Sequence, residues 1–138
     1  MTTQVTTPYA ALVLRIALGT MFIAHAMLKI LVFTPQGTVG FFSSLGVPGW
    51  LAYPTMAIEL VGGVMLIFGI KTKTIALALI PVLVGTIVLV HGEKGWMFAN
   101  EGGGWEYPLF LIMALIVQSL LGSGAYSLQA IINKSRAV

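Results

Sequence analysis

Hydrophobic positions fall in four long runs, about Ala10 to Val32, Trp50 to Ile70, Thr74 to His91 and Tyr107 to Gly122, separated by short polar or glycine-rich stretches. A helix rises about 1.5 Å per residue and the hydrocarbon core of a bilayer is roughly 30 Å thick. The first two runs are therefore long enough to cross, and the last two need interfacial residues to complete the crossing. The pattern predicts an all-α integral membrane protein, a four-transmembrane-helix bundle forming a single domain over residues 1–138. Gly122-Ser123-Gly124 ends the fourth run, and the Ala125 to Asn133 stretch beyond it predicts a short C-terminal helix lying at the interface.

Charge sets the expected orientation. Lys71 and Lys73 join runs two and three, and Lys134 and Arg136 follow run four, so these cations share a side with the N-terminus. The opposite side has an uncharged loop from about Phe33 to Gly49 and a loop from Gly92 to Glu106 carrying Glu93, Lys94, Glu101 and Glu106. The lysine and arginine bias predicts both termini in the cytoplasm. Ala24-His25-Ala26 has the form of a signal-peptide cleavage site, but no basic region precedes the run, Arg15 interrupts it, and apolar residues continue past the site. A retained first helix is expected. Trp50, Tyr53, Trp96, Trp105 and Tyr107 fall near the outer ends of the runs, where amphipathic rings favour headgroups. Gly49-Trp50-Leu51-Ala52-Tyr53-Pro54 and Gly104-Trp105-Glu106-Tyr107-Pro108 form a near repeat, each with proline close to a helix start.

Composition narrows the classes of chemistry. Of 138 residues, 58% are hydrophobic and 8% charged, against about a quarter charged in soluble domains. The absence of cysteine excludes disulfides, thiolate metal sites and cysteine nucleophiles, so redox chemistry would depend on a cofactor or partner. The net charge of +3 comes from residues scattered at the edges of the runs, with no basic stripe to suit a nucleic acid.

The informative residues are the polar ones inside the runs. Glu59 lies near the middle of the second, where an ionised group costs roughly 2.5–3.5 kcal/mol on insertion scales and is normally turned inward toward a partner. Arg15, His25 and Lys29 share one face of the first helix; Glu59 shares its face with Gly62 and Gly63, which allows a close backbone approach. By helical rise from the cytoplasmic end, Arg15 lies at roughly 8 Å, Glu59 at roughly 16 Å, His25 at roughly 22 Å and His91 at roughly 25 Å. Side chains lean toward their own helix N-terminus, which sends Arg15 inward, His25 and His91 toward the midplane and Glu59 outward. The expected cluster is Glu59, His25 and His91 in the outer half, with Lys29 at its rim and Arg15 below as an alternative partner.

Three readings suit that cluster. It can be a hydrogen-bonded knot fixing helix register. It can bind a quinone head group, whose carbonyls need donors and whose reduced form needs a proton acceptor. It can hold a metal through His25, His91 and Glu59, although no spacing motif supports this. Gln118 lies at a depth where it can reach Glu59, and Trp105 and Glu106 at the outer start of run four join Arg15, Lys29 and Gln118 as candidate ligand-binding residues. Pro81 with Gly85 predicts a kink in the third helix. Gly102 to Gly104 lacks the flanking residues of a phosphate loop and reads as a flexible lid or turn.

The Leu14-Arg15 pair, the Phe22 to Lys29 stretch, Gly46-Val47-Pro48, Ile58-Glu59-Leu60-Val61-Gly62-Gly63, Gly69 to Lys73 and His91, in this order over nearly the whole chain, resemble the DoxX family. The resemblance implies a four-helix bacterial inner-membrane protein related to the membrane subunit of thiosulfate:quinone oxidoreductase, with the family arginine and glutamate at Arg15 and Glu59. It favours a quinone-linked redox subunit, with Glu59, His25 and His91 as its candidate catalytic residues and electrons supplied by a soluble redox partner. A proton-coupled small-molecule transporter and a non-catalytic membrane scaffold remain open. A homodimer packed through the glycine face of the second helix is also an expectation.

Overall fold

The computed structural model describes residues 3–135, so Arg136 lies outside the described residues. Among the described residues six α-helices follow one another: α1 (Thr3–Met27), α2 (Thr34–Ser44), α3 (Ala52–Phe68), α4 (Thr72–Thr86), α5 (Glu106–Leu121) and α6 (Leu128–Ser135). No strand occurs among the described residues. Of the described residues, three helical stretches, Val5–Val32, Gly49–Phe68 and Thr72–Lys94, are long and apolar enough to cross a membrane. The fourth apolar helix, α5, has 16 residues, about 24 Å at the helical rise.

Helices α1, α3, α4 and α5 surround one core. The most extensive contacts are α1 on α3 and α4 on α5, with α3 on α4 and α1 on α5 closing the arrangement. The core runs through Leu18, Phe22, Leu66, Leu79, Leu83, Leu111 and Leu115. The glycines at the α1–α3 crossing explain its closeness. A Cβ on Gly63 would stand 2.8 Å from the Gly19 carbonyl oxygen, and one on Gly19 would stand 2.6 Å from that of Gly63. Small residues let backbones approach this far. Gly62 is covered by Ile75 and Leu79 of α4, so the glycine face that was expected to be free for a homodimer is used within the chain.

Two departures from the expected outline matter for the site. The loop from Phe33 to Gly49 is mostly helical: Pro35 lies in the first turn of α2, where its missing N–H costs nothing, and α2 packs against the start of α3. Both α1 and α4 also end in a π-helical turn, Leu28–Val32 and Ile87–His91. Such turns widen a helix and expose backbone carbonyls, and they recur at functional sites. Here they carry Lys29 and His91. Pro81 sits within α4, withholding an N–H from Leu77, and the helix runs on to Thr86 before widening.

Candidate ligand-binding site

The partner of Glu59 is Lys29. Its ammonium donates to both carboxylate oxygens, at 2.9 Å to Oε1 and 2.8 Å to Oε2. The Glu59 side chain is 6% exposed and that of Lys29 20%, so the pair joins α1 to α3 largely away from solvent. This corrects the expected order of partners, which placed histidines first and Lys29 at the rim. The lean toward the helix N-terminus applies to Lys29 as much as to His25, and four methylenes carry its charge further toward the midplane than an imidazole reaches. Thr38 of α2, a buried residue, helps to set the lysine backbone: its hydroxyl lies 3.1 Å from Lys29 O and 2.9 Å from Thr34 O and shares its proton between them.

Neither histidine bonds Glu59. The Nδ1–H of His25 donates to Met21 O at 2.7 Å, and the Nδ1–H of His91 donates to Gly103 O at 2.8 Å. A carbonyl only accepts, so each contact places the proton on Nδ1 and leaves Nε2 of the neutral ring as an acceptor. His25 also stacks on Tyr107, with ring centroids 6.2 Å apart and planes 24° from parallel. Among the described residues, no three of His, Cys, Asp and Glu converge as metal ligands, so His25, His91 and Glu59 do not form the metal set weighed from sequence.

What gathers these groups is a cavity of about 480 Å³. His25, Lys29, Glu59, His91 and Tyr107 line it, together with an apolar wall that includes Phe22, Phe41, Phe42, Leu83 and Leu111. Pro81 and Gly85 line it too, and a Cβ on Gly85 would meet open space. The Tyr107 hydroxyl is buried without a hydrogen-bond partner in the protein. The sequence reads Tyr107 as an interfacial anchor; its place at the start of the fourth apolar run, level in depth with His25, was the available signal. The walls from α2 had no such signal, because the Phe33 to Gly49 segment read as a loop.

The remaining candidates lie elsewhere. Arg15, 1% exposed, is at the opposite end of the bundle and lines no part of the cavity. Its Nη1 donates to Leu66 O and Ile67 O at the end of α3, and its Nη2 to Ala125 O at 2.7 Å and Tyr126 O at 3.1 Å, just before α6. The last carbonyls of a helix lack intrahelical donors and carry partial negative charge, which a guanidinium satisfies well. Gly69 makes room for it: φ is +67° in a left-handed helix cap, and a Cβ there would stand 2.7 Å from Arg15 Nη1. Arg15 is thus a structural clamp. Gln118 is also removed from Glu59, near the end of α5, with its Nε2–H donating to Gly122 O at 2.8 Å.

Trp105 caps the start of α5 and Glu106 is its first residue. Trp105 packs edge-on against Trp96 with centroids 4.6 Å apart, and it does not line the cavity. Glu106 Oε1 accepts from Phe98 N–H at 2.6 Å and borders a second, more open groove shared with His25 and Tyr107. The Gly102 to Gly104 segment is held by bonds from Gly103 N–H to Asn100 O and from Gly104 N–H to Met97 O, as well as by His91. It is a hydrogen-bonded turn, where a flexible lid was one expectation.

Comparison with known proteins places this architecture. The DoxX family profile matches residues 10–92. The chain is 32% identical over 125 residues to "Putative oxidoreductase CatD" of Bacillus subtilis (strain 168), covering 91% of this chain and 88% of that protein. It is 31% identical over 131 residues to "Inner membrane protein YqjF" of Escherichia coli (strain K12), covering 89% and 92%. No solved structure matches it. With the family profile spanning more than half its length and relatives aligned almost end to end, the chain belongs to the DoxX family of membrane proteins.

Proposed function

We propose that this protein is the four-span inner-membrane component of a quinone-linked oxidoreductase, that both its termini are cytoplasmic, and that a quinone head group occupies the cavity around Lys29 and Glu59. The observation that carries the reading is the make-up of that cavity. Ligand pockets are typically apolar chambers of about 300–1,000 Å³ with a few placed polar groups. This one has about 480 Å³, an ion pair, two histidines with Nε2 free to accept, and a buried tyrosine hydroxyl without a partner. Quinone carbonyls need donors, which the Tyr107 hydroxyl and the Lys29 ammonium provide. Quinol hydroxyls need acceptors, which the histidine Nε2 atoms and the Glu59 carboxylate provide.

A bound quinone supplies two-electron redox chemistry; the chain orients the head group and passes protons to or from its oxygens. With no cysteine and no haem or flavin motif, it receives its electrons from a soluble partner. The relatives' names are in keeping with this, "Putative oxidoreductase CatD" and "Inner membrane protein YqjF". Lys71, Lys73 and Lys134 at the end opposite the cavity support the cytoplasmic placement of that end.

The test is purification in mild detergent, mass spectrometry of bound lipids and proteins, and quinone reduction by the partnered complex. Wild type is expected to carry quinone, and Glu59→Gln and His25→Ala to lose its reduction. Normal binding and reduction in both variants refutes the reading. One observation favours a purely structural alternative: Lys29 already satisfies Glu59, so the pair can serve simply as a tie between α1 and α3. In that case the substitutions lower folded yield and no ligand co-purifies.

A further inference from the structure

The second groove adjoins the cavity and has a different character. Its floor and sides are Trp96, Phe98, Leu109, Phe110 and Met113, and His25 and Tyr107 line both the groove and the cavity. The Phe98 ring leans edge-on against Tyr107 at 6.0 Å, and the Tyr107 ring stacks on His25. The stacked pair is therefore the partition between the chamber that holds the Lys29–Glu59 ion pair and a more open apolar channel. The polar residue at the groove's edge, Glu106, turns its Oε1 to the Phe98 backbone N–H. Phe98, Phe110 and Met113 are all exposed, and the last two lie on the outer surface of an apolar helix.

We infer that this groove seats the isoprenoid chain of a membrane quinone, with the His25–Tyr107 pair as the gate through which the head group passes sideways from the lipid into the cavity. The inference rests on the head-group reading above and specifies the substrate class: a quinone with a long hydrocarbon tail. Three features select this occupant over a detached acyl chain or a second copy of the protein. The groove is continuous with the chamber through two shared residues. Its lining offers contact to hydrocarbon and almost nothing to a polar partner. It also follows the outer face of α5 from Glu106 to Met113, about 10 Å at the helical rise, so a chain leaving the chamber passes directly into lipid.

The experiment compares two probes, a tail-less dimethoxy-methyl-benzoquinone and its decyl analogue, by quenching of tryptophan fluorescence in the same micelles. Of the three tryptophans Trp96 lines the groove, and the signal from Trp50 and Trp105 is common to both proteins. Partition of the decyl chain into micelles is common to all proteins, so the quantity of interest is the affinity ratio of the two probes in wild type against the Phe110→Ala/Met113→Ala double variant. These side chains are exposed, and their removal leaves the core intact. The expected result is a ratio about 10-fold larger in wild type, with tail-less binding unchanged in the variant. Equal ratios overturn the groove while leaving the head-group site standing. Failure of wild type to bind either probe overturns the head-group reading and the groove with it.

Discussion

Replacing Lys29 by methionine removes the cation and keeps most of the side chain's apolar length. Glu59, 6% exposed, is then left with a carboxylate and no donor, because both oxygens depend on the same ammonium at 2.8 and 2.9 Å. Breaking a buried ion pair on one side costs about 3–5 kcal/mol. The lower end applies here, since Lys29 keeps a fifth of its side chain exposed. A loss of about 3 kcal/mol is expected for Lys29→Met. Glu59→Gln should lose less, because the amide oxygen still accepts from the lysine. The Lys29→Met/Glu59→Met variant should return to within about 1 kcal/mol of wild type, since a well-packed apolar pair often replaces a buried ion pair without loss. The assay is reversible unfolding in mixed micelles, taken as a double-mutant cycle with Lys29→Met and Glu59→Met as its single variants, and with tail-less quinone binding measured on the same samples. Additive costs, with a coupling below about 0.5 kcal/mol, would show that the two side chains do not depend on each other and refute the reasoning. If the stable double variant still binds quinone like wild type, the pair is a tie and not part of the binding site.

Three further outcomes follow from the geometry. Tyr107→Phe removes a hydroxyl that no protein atom bonds, so stability should stay within about 0.5 kcal/mol while tail-less quinone affinity falls about 5- to 10-fold in the same fluorescence titration; a large stability loss would mean that the hydroxyl is bonded within the protein. Gly63→Ala should cost about 1–3 kcal/mol in thermal unfolding, because its Cβ meets the Gly19 backbone, whereas Gly62→Ala, whose nearest neighbour is the flexible end of Leu79 at 3.3 Å, should cost less than half as much. Arg15→Lys keeps the charge but loses the planar fork that reaches two pairs of carbonyls, so limited proteolysis should cut the Gly122 to Ser127 segment faster while quinone binding at the other end is unchanged. Equal cleavage rates would count against the clamp.

The sequence by itself determined the class of protein and most of its helices. Long apolar runs with polar breaks admit few solutions other than helices in lipid, because backbone groups there must be satisfied within the segment. It also singled out His25, Lys29, Glu59 and His91, since polar side chains stand out in apolar runs whatever their partners, and all four line one cavity. Pairing was decided only by the tertiary structure. Depth and lean describe each helix separately, whereas the Lys29 to Glu59 bond depends on how closely α1 approaches α3, which Gly19 and Gly63 set together across the crossing. The same holds for Arg15, whose four acceptors come from two segments that meet only in the folded chain. The cavity itself was out of reach of periodicity, because it is enclosed by α2, a helix in an uncharged segment that reads as a loop, and by π-turns whose extra residue leaves no mark on the hydrophobic pattern.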